Sequence, residues 1–147
     1  MAPRTIRWGI LATGGIATTF TKDLLLDPTT RGVDKIKHTV AAAASSSSAS
    51  RAKDFLKEVG APSDAKAYGS YEELVNDSNV EIVYVATPHS HHYQNVMLAL
   101  EHGKHVLCEK AFTVNAAQLK KLVEVARSKV GIIKAFKSVW YTDKTLH

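Results

Sequence analysis

Residues 6–17 read IRWGILATGGIA, and this stretch decides how the rest of the chain folds. The apolar run before Ala12 stops at the pair Gly14 and Gly15, and apolar residues with helical spacing begin at Ile16. A strand that breaks at glycines and continues at once as a helix leaves the unpaired N–H groups of the helix N-terminus facing the turn. That end of a helix carries about half a positive charge, so the turn is suited to hold a phosphate group.

The turn is a relaxed form of the dinucleotide-binding pattern G-x-G-x-x-G/A, with Ala12, Gly14 and Ala17 at its fixed positions. Glycine lets the backbone turn sharply and lets an anion approach closely, and alanine is the smallest substitute for the first glycine. The pattern alone is weak, because a glycine pair between a strand and a helix is often only a tight connection. The candidate cofactor contacts in this turn are Ala12, Thr13, Gly14, Gly15 and Ile16.

The rest of the chain continues the alternation of strands and helices. Apolar strands are predicted at residues 38–44, 66–68, 81–86 and 105–108, and helical spacing follows at residues 52–59, 70–76, 93–100 and 119–126. Strands of this kind between helices indicate a parallel sheet that is covered on both faces. We therefore predict an α/β fold, a doubly wound parallel sheet of the Rossmann type.

The composition is that of a globular domain, with 147 residues, 45% hydrophobic and 22% charged. No apolar run approaches the ~20 residues of a membrane span, and no signal-like segment precedes the first strand, so we expect a cytoplasmic protein without membrane contact. Cys108 is the single cysteine, which excludes an intrachain disulfide and fits a reducing compartment. The net charge of +5 favours anionic ligands, but the lysines are scattered and nucleic-acid binding is not expected.

Ligands of a doubly wound sheet bind outside the carboxyl ends of the strands, so the turns that follow the strands form the candidate site. These turns lie at residues 12–15, 45–48, 87–92 and 109–112. Parallel strands bring them to one edge of the sheet although they are far apart in sequence.

The turn after the second strand carries serine where NAD-binding folds place an acidic residue for the ribose 2′-hydroxyl. Ser45 and Ser46 occupy this place, and Arg51 follows a few residues later. Hydroxyls and a guanidinium can hold a 2′-phosphate that a carboxylate would repel, so the pattern favours NADP over NAD. The alternative is that the serines only cap the next helix and that Arg51 is solvated.

The last two turns carry three histidines, a thiol and a carboxylate, the residue types of a zinc site. No Cys-x-x-Cys or His-x-x-x-His pair accompanies them, so no metal is predicted. Lys110 can hydrogen-bond a substrate hydroxyl and help to move its proton as hydride leaves, but it can equally be an ordinary surface lysine.

Two stretches in these turns resemble a known family: ATPHSHH at residues 86–92 and GKHVLCEK at residues 103–110. They resemble the Gfo/Idh/MocA oxidoreductases, and the resemblance extends over residues 5–129. Within that family, the glycine turn and the serine run resemble those of the fungal NADP-dependent D-xylose dehydrogenases. The mammalian dimeric dihydrodiol dehydrogenases are close relatives of these enzymes. The resemblance implies NADP as cofactor, a sugar or diol as substrate, and Lys110 as the catalytic residue that acts on the substrate hydroxyl to form a lactone from the sugar.

The resemblance also implies which side chains of the last two turns lie against the cofactor, namely Thr87, Pro88, His89, His92, Glu109 and Lys110. The family usually reads Glu-Lys-Pro, often with a cis peptide bond before the proline. Ala111 stands in that place in this chain. A cis bond before alanine costs ~3–4 kcal/mol, so we expect a trans bond.

The end of the chain departs from the family as well. Family members continue into a second domain of antiparallel sheet, which supplies most substrate contacts and the dimer interface. We expect an NADP-binding domain over residues 1–129 and an atypical tail over residues 130–147, which is a candidate last strand, with the substrate domain and the dimer interface missing. Two functions stay open: an NADP-dependent dehydrogenase, and a truncated module that holds NADP(H) without turnover.

Overall fold

The computed structural model describes residues 2–129, and residues 130–147, which include the predicted tail, lie outside the described residues. Strands and helices alternate through the described part of the chain, and two short 3₁₀ helices there occupy Pro28–Arg31 and His89–His91. The elements are β1 (Arg4–Leu11), α1 (Gly15–Leu24), β2 (Ile36–Ala44), α2 (Ala49–Glu58), β3 (Lys66–Tyr68), α3 (Tyr71–Asn76), β4 (Ile82–Val85), α4 (His92–Glu101), β5 (His105–Cys108) and α5 (Ala116–Lys129). None of the described helices is both long and apolar enough to cross a membrane.

The five strands of residues 2–129 form one parallel sheet in the order β3-β2-β1-β4-β5. The chain builds outward from β1 in one direction as far as β3, then returns to the other side of β1 for β4 and β5. The strand order therefore reverses between β1 and β4, which is where open α/β sheets bind their ligands. The predicted fold, a doubly wound parallel sheet, is confirmed.

Two apolar cores lie on the two faces of the sheet. Leu11 belongs to the core that packs against α3, α4 and α5, and its neighbour Ile10 belongs to the core beneath α1 and α2. Both side chains are fully buried. Burial of such a side chain contributes about 1.5–3 kcal/mol, so β1 is stabilised from both sides.

The sequence patterns predict several element boundaries to the residue. The third and fifth strands have the predicted bounds, and α3 begins with the predicted capping box between Ser70 and Glu73. The second strand starts at Ile36, earlier than its apolar pattern suggests, because Ile36 pairs with Arg4 at the start of β1. Backbone pairing, which leaves no trace in a side-chain pattern, sets this boundary.

The buried side of α1 consists of small residues rather than the apolar residues whose spacing predicted the helix. Ala17 and Thr21 are fully buried, whereas 51% of Ile16 is exposed. Phe20 and Leu24 are partly buried and pack against the core on this face. Small residues at the contact let α1 lie close to the sheet, and the aromatic side chain of Phe20 reaches sideways over β4, where it stacks on Tyr84.

Trp8 and His38 form a polar pair on the same face of the sheet. The indole Nε1 of Trp8 donates to Nδ1 of His38 over 3.1 Å. This nitrogen can accept only while it carries no proton. Burial, and then the charge of Arg31, lower the pKa of His38 below its ordinary value of 6.5.

We expect the chain to lose stability as the pH falls below about 6.5, because of His38. The unfolded chain takes up the proton first, since the pKa of His38 is lower in the folded state. Its contribution to stability is therefore present above pH 6.5 and is lost as the pH falls through the pKa of the folded state. Free energies of unfolding in urea at pH 7.5 and pH 5 measure this change. The His38→Gln variant should show a smaller decrease, and an equal decrease in both chains would contradict the assignment.

Candidate functional site

The first turn begins at Ala12, whose backbone has a φ of +90°. This region favours glycine, and a residue with a Cβ there costs about 1 kcal/mol or more. The dinucleotide pattern places its first glycine at this position, so the backbone keeps the conformation of the pattern although the residue differs. The N–H of Ala12 donates to the carbonyl of Ala44 over 3.1 Å, which ties the turn to the end of β2.

Gly14 is the N-cap of α1 and leaves the start of this helix open. Its φ of −79° and ψ of 178° suit any residue, so backbone strain does not require glycine here. A Cβ built at Gly14 or Gly15 would meet nothing within 4 Å. The first turn of the helix contains no acidic residue. The space beside Gly14 therefore fits a phosphate group against the N–H groups of the helix, and a side chain at Gly14 would fill it.

The serine run forms an ordered second turn and not a flexible linker. Ser45 is 5% exposed, and its Oγ accepts from the N–H of Ser47 over 3.3 Å. Ser48 caps α2, since its Oγ accepts from the N–H of Arg51 over 3.3 Å. The capping alternative thus holds for Ser48, whereas Ser46 is exposed at the edge of the sheet.

A cavity of about 340 Å³ lies between the first turn and α2. Arg51 lines it together with Thr13 and Gly14. Two carboxylates, Asp54 and Glu58, line the same cavity. Glu58 also pairs with Lys22 over 3.6 Å, which offsets part of its charge. The cavity brings a cation and the glycine turn to one place.

The third turn combines a buried threonine with exposed residues. Thr87 is 6% exposed, and its Oγ1 accepts from Nδ2 of Asn95 over 3.0 Å. Pro88 and His89 are exposed at the sheet edge. The ring of His89 lies edge-on to that of His92, with the centroids 6.4 Å apart.

His92 connects the third turn to the fourth. The side chain is 1% exposed, with Nε2 lying 2.7 Å from the carbonyl oxygen of Thr87 and Nδ1 lying 2.7 Å from that of Ala111. Both ring nitrogens lie within hydrogen-bond distance of a backbone carbonyl oxygen, and the ring donates through a nitrogen that carries a proton. His92 holds two turns of the candidate site together from below, which is a more indirect position than the sequence analysis expects for a cofactor contact.

The fourth turn carries Glu109 and Lys110. The N–H of Glu109 donates to the carbonyl of Val85 over 3.0 Å, and Oε2 of Glu109 accepts from the N–H of Lys110 over 3.3 Å. The hydroxyl of Tyr84 donates to the other carboxylate oxygen, Oε1. The side chain of Lys110 is exposed at the edge.

The peptide bond between Lys110 and Ala111 is cis, so the predicted trans bond is wrong. The prediction considered only the residue type after the bond. In the structure, a tertiary contact engages this segment, because the Ala111 carbonyl lies within hydrogen-bond distance of the buried ring of His92.

The thiol of Cys108 is half-buried next to Glu109. Burial, and then the nearby charge of Glu109, raise the pKa of the Cys108 thiol to about 12, so the sulfur keeps its proton at neutral pH. Within residues 2–129, no three His, Cys, Asp or Glu side chains are grouped as ligands of one ion.

Sequence reasoning missed two residues that support the site. Asn95 donates a hydrogen bond to Thr87. It lies one helical turn after His92, and this spacing could have indicated that both side chains face the same turn. Tyr84 is the polar-tipped residue in the apolar strand β4, and its partner Glu109 lies 25 residues away. The pattern alone could not identify this pair, because the two strands had first to be placed side by side.

Comparisons with known proteins agree with this geometry. A family model described as "Oxidoreductase family, NAD-binding Rossmann fold" matches residues 6–135. D-xylose 1-dehydrogenase (NADP(+)) from Hypocrea jecorina is 65% identical over 127 residues, which cover 86% of this chain. Trans-1,2-dihydrobenzene-1,2-diol dehydrogenase from Sus scrofa is 45% identical over 124 residues, or 84% of this chain. This chain spans about a third of the length of these relatives, 32% of the first and 34% of the second.

Solved structures show the same architecture. KijD10, a 3-ketoreductase from Actinomadura kijaniata solved in complex with NADP, matches with a TM-score of 0.72 and 31% sequence identity. The match covers 86% of this chain and 36% of that protein. Because the family model spans most of the chain and the observed sheet has the architecture that the model describes, the chain belongs to the Gfo/Idh/MocA oxidoreductase family.

Proposed function

We propose that the chain binds NADP(H) along its four turns, as the nucleotide-binding part of an NADP-dependent oxidoreductase. The observation that carries this proposal is the cavity in which Arg51 lies beside Thr13 and Gly14. It supplies a guanidinium for the 2′-phosphate next to an open helix N-terminus for the pyrophosphate. The names of the relatives support the same cofactor, since the H. jecorina enzyme is named for NADP(+) and KijD10 was solved with NADP.

Each turn has a proposed part in binding. The first turn, Ala12 to Ile16, holds the pyrophosphate on the N–H groups of α1. Ser46 and Arg51 hold the 2′-phosphate, and Ser45 shapes their turn through its bond to Ser47. The third and fourth turns receive the nicotinamide half through Thr87, Pro88, His89, Glu109 and Lys110, and His92 keeps these two turns together.

A sugar or diol is the proposed substrate class, because the similar dehydrogenases are named for D-xylose and dihydrobenzenediol. NADP, when bound, supplies the hydride acceptor for oxidation of an alcohol carbon. Lys110 is the proposed catalytic residue: its exposed amine at the fourth turn hydrogen-bonds the substrate hydroxyl and helps to move the hydroxyl proton. With D-xylose the product of this step is a lactone.

The second candidate is a module that holds NADP(H) without turnover. It is favoured by the exposure of Lys110, the one proposed proton-transferring side chain among the described residues. Positioning of the reacting groups supplies ~7–11 kcal/mol of a catalysed barrier, and one exposed amine does not orient a sugar ring. The cytoplasmic location, the domain bounds, the missing dimer interface and the lack of nucleic-acid partners stay predictions.

Cofactor preference tests the proposed function directly. The unmodified chain should bind NADP about 10–150-fold more tightly than NAD, the value of one charge-assisted hydrogen bond to the 2′-phosphate. Arg51→Ala should remove most of this preference, and Ser46→Asp should reverse it through repulsion. Isothermal titration calorimetry with both dinucleotides measures the affinities.

Lys53→Ala is the matched control for the preference. Lys53 is an exposed cation on the same helix as Arg51, but it lines a different cavity. This variant should keep the preference for NADP. Equal affinity of the unmodified chain for NAD and NADP would rule out the proposed 2′-phosphate site.

Gly14→Val should abolish dinucleotide binding and leave the fold intact. The valine side chain enters the open space beside α1 that we assign to the pyrophosphate, while the φ of −79° accepts it without strain. Circular dichroism and an NADPH titration on the same sample separate the two effects. Unchanged affinity would mean that the pyrophosphate lies elsewhere.

We expect slow turnover from this chain alone, below the ordinary range of about 1–10³ per second. Protein saturated with NADP is mixed with D-xylose, and NADPH absorbance is followed for the unmodified chain, Lys110→Ala, and Lys120→Ala as a surface control. A rate within the ordinary range that only Lys110→Ala abolishes would show a complete enzyme. Such a rate would exclude the binding-module candidate.

A further inference from the structure

Tyr84 lies in β4 beneath the candidate site, and aromatic neighbours fix its ring. The side chain is 1% exposed and stacks on Phe20, with the ring centroids 3.8 Å apart and the planes at 20°. Phe20 in turn packs edge-on against Trp8, with the centroids 5.6 Å apart. This packing involves only the ring, so phenylalanine would fill the same space. The role of the phenolic hydroxyl must lie in its hydrogen bond.

The hydroxyl of Tyr84 donates to Oε1 of Glu109, at the turn that follows β5. The other carboxylate oxygen of Glu109 accepts from the N–H of Lys110. The backbone N–H of Glu109 donates to Val85, the strand neighbour of Tyr84. Backbone and side chain of Glu109 are thus both tied to β4, and the phenol fixes the position of one carboxylate oxygen.

Tyr84 remains the donor of this hydrogen bond over the physiological pH range. Burial, and then the hydrogen bond to Glu109, raise the pKa of Tyr84, so the phenol remains the donor. A hydrogen bond from a neutral donor to a carboxylate is stronger than one between neutral groups. The carboxylate oxygens keep further acceptor positions for a ligand hydroxyl, because each oxygen can accept two hydrogen bonds.

The position of this pair assigns it to one half of the proposed cofactor. Arg51 and the glycine turn lie on the β1–β2 side of the point where the strand order reverses, whereas Glu109 lies on the β4–β5 side. A dinucleotide that crosses this point places its adenosine half on the first side and its nicotinamide half on the second.

We propose that Tyr84 is a positioning residue, which aims the Glu109 carboxylate at a ribose hydroxyl in the nicotinamide half of NADP(H). The proposal rests on the proposed function, since it needs the cofactor to lie along the four turns. It adds a buried residue of the sheet to a site that is otherwise made of turn residues.

The test separates the two halves of the cofactor. 2′,5′-ADP contains the adenosine and the 2′-phosphate but lacks the nicotinamide ribose, so it reports on the first two turns alone. Isothermal titration calorimetry is carried out on the full 147-residue chain with NADPH and with 2′,5′-ADP. Tyr84→Phe should weaken NADPH binding about tenfold, which is about 1.4 kcal/mol, and should leave 2′,5′-ADP binding within about twofold.

Tyr68→Phe is a matched control, because the hydroxyl of Tyr68 donates to Asp77 over 3.0 Å, away from the nicotinamide half. It removes the same kind of bond and should change neither affinity. The Tyr84→Phe change should have no further effect in a Glu109→Ala background, since the two residues act through one hydrogen bond. A purely structural role of Tyr84 would lower both affinities together and would add to the loss caused by Glu109→Ala.

Unchanged NADPH affinity in Tyr84→Phe, or equal losses for both ligands, would overturn the positioning role and leave the proposed function standing. An unmodified chain that binds neither ligand would overturn both. Circular dichroism reports whether Tyr84→Phe folds. If it does not fold, the hydroxyl is needed for the fold itself, and the positioning role is overturned.

Discussion

The whole structure depends on the burial of β1 between two parallel neighbours and two apolar cores. This strand pairs with β2 on one side and β4 on the other, so its backbone is hydrogen-bonded on both edges. Ile10 and Leu11 project into opposite cores and are fully buried. Gly9 lets the layers come close, because a Cβ there would lie 2.8 Å from side-chain atoms of Leu74 and Val80. A strand with this surrounding can only be central.

A central first strand explains why the candidate site lies where it does. After β1 the chain adds β2 and β3 on one side of this strand and then β4 and β5 on the other side. The turns after β1 and β4 therefore lead away from each other at the same edge of the sheet. Apolar packing below this edge fixes the strands, and the turns above it carry the polar groups. The supporting hydrogen bonds, from Asn95 to Thr87 and from Tyr84 to Glu109, rise from helices and strands and not from the turns themselves. Helices and strands thus hold the turns of the candidate site in place.

The sequence predicts the sheet class and most element positions because both follow from local periodicity and turn residues. The capping box at Ser70 and the helix that buries Phe55 and Leu56 are local features of this kind. Features that need two distant segments were not predictable. Ala111, which follows the cis bond, and the buried ring of His92 are 19 residues apart in sequence and come into contact only in the folded chain. Ile16 is a further example. The spacing of apolar residues predicts the helix, but the packing of α1 against the sheet decides which of them are buried, and Ile16 is exposed.

The imidazole of His92 has a consequence for the local motions of the protein. One buried ring lies between the carbonyl of Thr87 and that of Ala111, so neither segment can swing outward without disturbing the other. Local opening costs free energy in cooperative units, and two loops that share a buried contact belong to one unit. The two loops, more than twenty residues apart in sequence, therefore fluctuate together, and a ligand that orders either of them also restricts the motion of the other.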